Sequence, residues 1–343
     1  MICRKLLIFF FPFPLMAFGQ SPLPVKLYKI KTEQRVDVYI GGTFFTSFLY
    51  PDSLEKPVLF PINDASSTPV TRGFPREPRP GEPTDHPHHL GCWFTYENVN
   101  GLDFWNNSYA IPAEKKHNYG WIKTDSILEY SGGTQGSLRY HANWVNQANQ
   151  VLLEESTRFV FSGNDHERVI DRVTDLKANT DILFADAKDG LFGLRLTPEL
   201  QIPERNNQSF TDNKGNITLV KKNALATGNY LTSEGIMGDS AWSTRGRWCK
   251  VFGLIGKDSV SITIFDHQKN PDYPTFWHAR GYGLFAANPL GASIFTKGKS
   301  MFNLRLKKGE IIRFRYRVLV QNGQKTESTD DLNQMADRFN LNY

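Results

Sequence analysis

Cysteine is scarce in this chain, long apolar runs are confined to its first twenty residues, and no charge sign dominates. Of the three cysteines, Cys3 sits ahead of the early apolar run, and only Cys92 and Cys249 follow it, each beside a tryptophan. That supply excludes a disulfide-dense scaffold and paired Cys-x-x-Cys zinc motifs. The two thiols are expected to be buried and free, although an exported protein could pair them. Beyond the first twenty residues no apolar run approaches the roughly 18 needed to cross a bilayer, so no membrane span is expected. The net charge of +5 falls to +3 without Arg4 and Lys5, too small an excess for a nucleic-acid partner. Glycine-rich phosphate loops, a Gly-x-Ser-x-Gly elbow and a His-Glu-x-x-His helix are also missing. Nucleotide hydrolysis, Rossmann redox chemistry and α/β-hydrolase chemistry therefore lack support.

What the N-terminus does contain is Arg4 and Lys5, an apolar run from Leu6 to Phe18, and small residues at Ala17 and Gly19. Residues 1–19 are read as a signal peptide, which predicts an exported protein, periplasmic or extracellular. Pro12 and Pro14 break the run and argue against a membrane anchor.

From residue 20 onward the dominant signal is alternation of apolar and polar residues with period two, in segments rich in Val, Ile, Phe, Tyr and Thr. In VDVYIGGTFFTSFLY, residues 36–50, Gly41-Gly42 separates two such runs as a tight hairpin turn would. Further segments of this kind recur to the C-terminus without intervening helical patterns. The expected fold is all-β: one large antiparallel β-sandwich over residues 20–343. Only STDDLNQMADRFN reads as helix, with Leu332, Met335 and Phe339 at helical spacing; it is expected to close a sheet edge. The proline-rich segment 66–87 reads as an ordered loop across the sandwich, because long loops in compact domains are often functional.

Three groups could carry chemistry. DHPHH, residues 85–89, places His86, His88 and His89 beside Asp85. Pro87 biases His86 toward an extended backbone, which would send His86 and His88 to one side and His89 to the other. Neutral imidazoles could transfer protons, and a His-x-His pair could instead ligate a divalent metal ion, with His86, His88 and His278 as candidates. Trp93 follows as a substrate-facing aromatic. In YPTFWHARGYGLFAANP, residues 273–289, an extended chain would put His278, Arg280 and Tyr282 on one face and Trp277 on the other. Asp186, Lys188 and Asp189 could supply an acid and a base, and Arg245 and Arg247 at i,i+2 could together bind a carboxylate or a polarised oxygen. Charged turns and strand-edge arginines are also common as plain solvated surface.

Beyond these patterns, D-H-P-H-H-x-G-x-W-F at 85–94 and N-V-N-G-x-D-F-W at 98–105 resemble a bacterial family often labelled "methane oxygenase PmoA". D-A-K-D-G-L-F-G-L-R at 186–195, R-x-R-W at 245–248, D-H-x-x-N-P at 266–271 and the 273–289 segment extend the resemblance in order along the chain. Ala187 departs from the family pattern, where threonine is expected. The oxygenase label is not read literally, because a membrane-embedded methane monooxygenase subunit needs spans that this sequence lacks. The resemblance implies a large sandwich similar to galactose mutarotases in exported proteins tied to carbohydrate use.

Together these readings predict a carbohydrate-active enzyme working by histidine and aspartate acid–base chemistry, by epimerisation, elimination or hydrolysis. His88, His89, His278, Asp186 and Asp189 are the catalytic candidates. His86, Trp93, Lys188, Arg245, Arg247, Arg280 and Tyr282 are the ligand-binding ones. The alternatives are a noncatalytic carbohydrate-binding protein and a purely structural sandwich. The histidine loop and the WHARGYG segment are expected to share one cleft.

Overall fold

The computed structural model describes residues 21–203, 207–211, 217–220, 223–323 and 327–343. The expected signal peptide lies outside them. Alternation along the chain becomes two eight-stranded sheets whose neighbouring strands all pair antiparallel. Across the first sheet run Val25–Ile30, Arg35–Ile40, Thr43–Leu49, Val58–Ile62, Cys92–Tyr96, Gly190–Arg195, Leu284–Asn288 and Phe276–Ala279. The second runs from Asn229–Thr232 through Trp248–Ile255, Asp258–Asp266, Ile311–Asn322, Glu167–Ala178, Val151–Gly163 and Gly136–Val145 to Trp121–Ser131. Two short two-stranded sheets are added, and one of them, Ile182–Phe184 with Leu304–Leu306, sends Ile182, Phe184 and Leu306 into the main core. The Gly41-Gly42 turn is a hairpin with both glycines at positive φ, +64° and +84°, as a type I′ turn requires.

Side chains of alternate parity sort onto the two faces of each sheet. Along Cys92–Tyr96, Cys92, Phe94 and Tyr96 enter the core between the sheets, whereas Trp93 packs on the outer face with Trp105, Tyr282 and Leu284. Trp277 is fully buried in the inter-sheet core, and its neighbour His278 faces outward. Charge inside the sandwich is compensated: the buried Arg172 lies 2.6 Å from Glu155, which also accepts from Tyr140 Oη at 2.6 Å and Trp144 Nε1 at 2.8 Å. Cys92 and Cys249 are buried and free.

The C-terminal helix spans Thr329–Asn342, and Ser328 and Asp331 form a capping box at its start. It does not close an edge. Leu332, Ala336 and Phe339 instead cover Trp248, Phe265 and Leu319 on the outer face of three adjacent strands of the second sheet. That face offers an apolar patch that an edge strand, presenting backbone groups, does not. Arg247 fastens the helix by donating to the Asn333 carbonyl at 3.0 Å and pairing with Asp337. Replacing Phe339 by alanine should cost about 3–5 kcal/mol in urea unfolding. A loss below about 1 kcal/mol would mean the helix is not docked as described.

Candidate acid–base site on the outer face of the first sheet

The outer face of the first sheet is roofed by the proline-rich loop, and two buried arginines hold that loop in place. Arg72 and Arg195 are both fully buried. Arg72 Nη1 donates to the Asp85 carbonyl at 2.8 Å, and its Nη2 to the carbonyls of His86 at 3.0 Å and His89 at 3.2 Å. Arg195 Nη2 donates to Asp85 Oδ2 at 2.7 Å. Burial alone would push the Asp85 carboxyl up, but Arg195, the His86 hydrogen bond and Arg72 reverse this and hold it far below the usual carboxylate range. Farther along the loop, Glu82 ties up a turn by accepting from the N–H groups of Gly73, Phe74 and Arg79.

This anchoring overturns the extended reading of DHPHH. His86 adopts a left-handed backbone, φ +46°, and His89 N–H closes a turn onto the His86 carbonyl at 3.0 Å with Pro87 inside it. The three imidazoles therefore cluster instead of dividing between two faces. Tyr282, His86, His89 and Trp93 form a run of near-parallel rings with centroids 5.2, 4.9 and 5.1 Å apart, and His88 meets His89 edge-on at 4.2 Å. The histidine loop and the WHARGYG segment thus meet on one face. Tyr282 reaches it because Arg280–Gly283 is a tight turn, closed by Gly283 N–H onto the Arg280 carbonyl at 2.9 Å. Arg195 lies 4.8 Å over the Tyr282 ring, and Arg280 lies 5.3 Å over Trp242.

The histidines differ in what they can do. An arginine can only donate, so Arg195 Nη1 at 3.2 Å from His89 Nδ1 makes that nitrogen an acceptor and fixes the proton on Nε2. His89 is thereby a buried wedge. Burial, reinforced by the neighbouring imidazoles and cations, holds His88 and His89 neutral, far below the ordinary histidine range. His86 donates its Nδ1 proton to Asp85, which turns the Nε2 lone pair outward, and its side chain retains 14% exposure. Of the three, His86 is the one placed to act as a base.

Next to this stack lies a group of carboxyls that sequence reasoning only half found. Glu97 N–H donates to the Asp189 carbonyl, and Asp189 N–H to Glu97 Oε2, both at 2.9 Å. Burial, followed by the charge of Asp189, pushes the Glu97 carboxyl up to about 8, and burial pushes Asp189 up to about 6. Lys188 Nζ stands 3.6 Å from one Asp189 oxygen and His278 Nδ1 3.6 Å from the other. Burial, then the Lys188 and Arg280 charges, keeps His278 neutral. Glu97 shares the parity of Trp93 and Thr95, so strand alternation alone could have flagged it as outward-facing. Lys56 was also missed. It is buried, donates to the Trp105 carbonyl at 2.7 Å, and is lowered by burial to about 8.

Three candidates have other partners. Asp186 accepts from Ser293 N–H at 2.9 Å and Phe302 N–H at 2.8 Å, so its carboxylate anchors the chain around the short helix Ala292–Phe295. Arg245 and Arg247 do not form a joint clamp. Arg245 is held by Asp272 and the Pro274 carbonyl over the Phe276 ring, while Arg247 turns to the C-terminal helix. Among the described residues no three His, Cys, Asp or Glu side chains converge on a point as metal ligands would. His86 and His88 lie beside each other, ring centroids 5.5 Å apart, and His278 belongs with Asp189. No described helix is long and apolar enough to cross a membrane.

The comparisons with known proteins add one decisive match, over residues 35–337. The chain belongs to the Family of unknown function (DUF6807). That description names no activity and gives the methane oxygenase label no support. No curated protein matches the chain. Among solved structures it is similar to a galactose mutarotase-like protein of Clostridium acetobutylicum, with 10% identity, TM-score 0.40, and coverage of 89% of this chain and 100% of that one. It is also similar to a heparan sulfate lyase HepC mutant of Pedobacter heparinus, with 9% identity, TM-score 0.36, and coverage of 90% and 37%. A third is a GH36 α-galactosidase of Geobacillus stearothermophilus, with 10% identity, TM-score 0.36, and coverage of 88% and 41%. At these scores the likeness carries no inference about chemistry.

Two outcomes follow from the geometry. Asp85→Asn leaves two buried guanidiniums without their carboxylate and should cost about 3–5 kcal/mol, with faster amide exchange across residues 83–91; unchanged exchange there would contradict the anchoring role. For Glu97 the folded carboxyl is raised above its ordinary 4.5, so its contribution to stability is complete below that value and is lost as pH rises through about 8. Glu97→Gln should therefore flatten the fall of Tm between pH 5 and pH 9 and melt above the parent at the alkaline end. Parallel curves for the two proteins would show that Glu97 is not raised.

Proposed function

We propose that the outer face of the first sheet is an acid–base site acting on a carbohydrate or modified sugar. The observation that carries this is the Glu97–Asp189 pair. The two residues pair through their backbones, Asp189 N–H donates to Glu97 Oε2 at 2.9 Å, and with carboxyls pushed to about 8 and about 6, Glu97 keeps its proton near neutral pH while Asp189 is ionised, which supplies an acid and a base. Asp189, with 11% side-chain exposure and with Lys188 and His278 beside it, is the member assigned to the ligand, and Glu97 is its positioning and proton-holding partner. His278 stands beside Asp189 as a neutral imidazole able to pass a proton. His86, oriented by Asp85, offers a second base from the loop.

Proton transfer from two separate elements suits epimerisation or elimination, and a carboxyl acid beside a carboxylate suits glycoside hydrolysis. Lys188, Arg280 and Tyr282 supply donors for hydroxyl and ring oxygens. No step is routed through a metal. The chain is taken to work outside the cytoplasm, on the strength of residues 1–19.

The test is the product spectrum of the protein against oligosaccharides and oxidised sugars, in parent, Asp189→Asn and His86→Ala forms. Turnover should fall by at least about a hundredfold in both variants with affinity largely kept, and metal-free protein should retain full activity. Ligand binding without any product would make this a noncatalytic sugar-binding protein. Activity lost on chelation and restored by one divalent ion would move the chemistry to a metal.

A further inference from the structure

Well away from the carboxyl pair in sequence, Trp121 opens the edge strand of the second sheet, paired with Val145 across the hairpin. It is half-buried, and its indole N–H has no partner among the described residues. Trp121 lines a cleft of about 350 Å³ together with Lys116, Lys123, Asn146, Gln147 and Asn149. This wall is preformed. Asn146 Oδ1 accepts from the N–H groups of Ala148 at 3.0 Å and Gln150 at 2.9 Å, and Asn149 sits in the left-handed region at φ +59°.

Both lysines are already engaged by the protein. Lys116 Nζ, 5.6 Å over the indole, donates to Asn107 Oδ1 at 2.8 Å and the Ser108 carbonyl at 2.7 Å, and it lies 3.6 Å from Glu55. Lys123 Nζ donates to Asn149 Oδ1 at 2.8 Å. The groups left for a ligand are an indole with its N–H and the amide of Gln147, a combination that matches an uncharged pyranose: C–H groups on the ring face and hydroxyls for the amides. Lys116 also links the cleft to the face that carries the histidine stack, since Asn107 and Ser108 follow Trp105, whose ring packs 5.2 Å from Trp93.

We propose that this cleft is a second carbohydrate subsite, which grips an uncharged stretch of a polysaccharide whose other part occupies the acid–base face. The proposal rests on the carbohydrate reading above.

Affinity electrophoresis tests it, in gels containing soluble xylan, mixed-linkage β-glucan or galactomannan, with polygalacturonate as the acidic comparison. The parent should be retarded by at least one neutral polymer. Trp121→Ala and Gln147→Ala should lose that affinity by at least about tenfold. Gln147 is exposed, so its variant keeps the test valid if Trp121→Ala fails to fold. Retardation unchanged in both variants, confined to polygalacturonate, or absent in every gel overturns the proposal. Loss of retardation in Asp189→Asn but not in the cleft variants rejects the cleft and leaves the acid–base reading standing. Cleft-dependent retardation with no product from any sugar rejects catalysis and leaves the cleft.

Discussion

A single carboxylate shared by two buried guanidiniums organises the outer face of the first sheet. Asp85 meets Arg195 from the sheet and Arg72 from the start of the loop, and Arg72 also collects the carbonyls of His86 and His89. Removing either arginine would leave a buried charge or several buried carbonyls without partners. With both in place, the loop is bent into a turn that no run of local propensities would select, and His86 is held at a positive φ. The ring stack, the outward-facing His86 Nε2 and the closed roof over Trp93 all depend on this arrangement.

The second element of the account is a distribution of protonation. Cations crowd the face: Arg72, Arg195, Lys56, Lys188 and Arg280 surround His86, His88, His89 and His278, and together with burial they keep the imidazoles neutral. The carboxyls respond in opposite ways. Asp85, gripped by two arginines, stays ionised, whereas burial and then the charge of Asp189 push Glu97 up, so that it retains its proton. Three carboxyls on one face thus take different states because their surroundings differ.

The architecture was legible because strand alternation and turn chemistry are local. Gly41-Gly42 announced its hairpin, the spacing of Leu332, Met335 and Phe339 its helix, and alternate parity put Trp277 and His278 on opposite faces. Legibility failed where long-range partners override local preference. Pro87 favours an extended His86, yet Arg72 and the turn impose another geometry. Arg245 and Arg247 share a parity but are drawn to different elements. Asp186 looked equivalent to Asp189, and only the fold shows that backbone N–H groups occupy it. Glu97, Arg72, Arg195 and Lys56 went unseen because each is a lone residue in a strand or loop whose meaning comes from a partner distant in the chain.

The central claim is that Glu97 carries a proton at neutral pH beside an ionised Asp189. Infrared difference spectroscopy of the carboxyl C=O stretch reads this directly. The account predicts a protonated-carboxyl component at pH 7 that disappears with alkali near pH 8 and is lost in Glu97→Gln, where the signal of the buried Asp266, pushed up to about 7, remains. A spectrum at pH 7 with every carboxyl ionised, or one whose protonated-carboxyl intensity is the same in Glu97→Gln as in the parent, would contradict it.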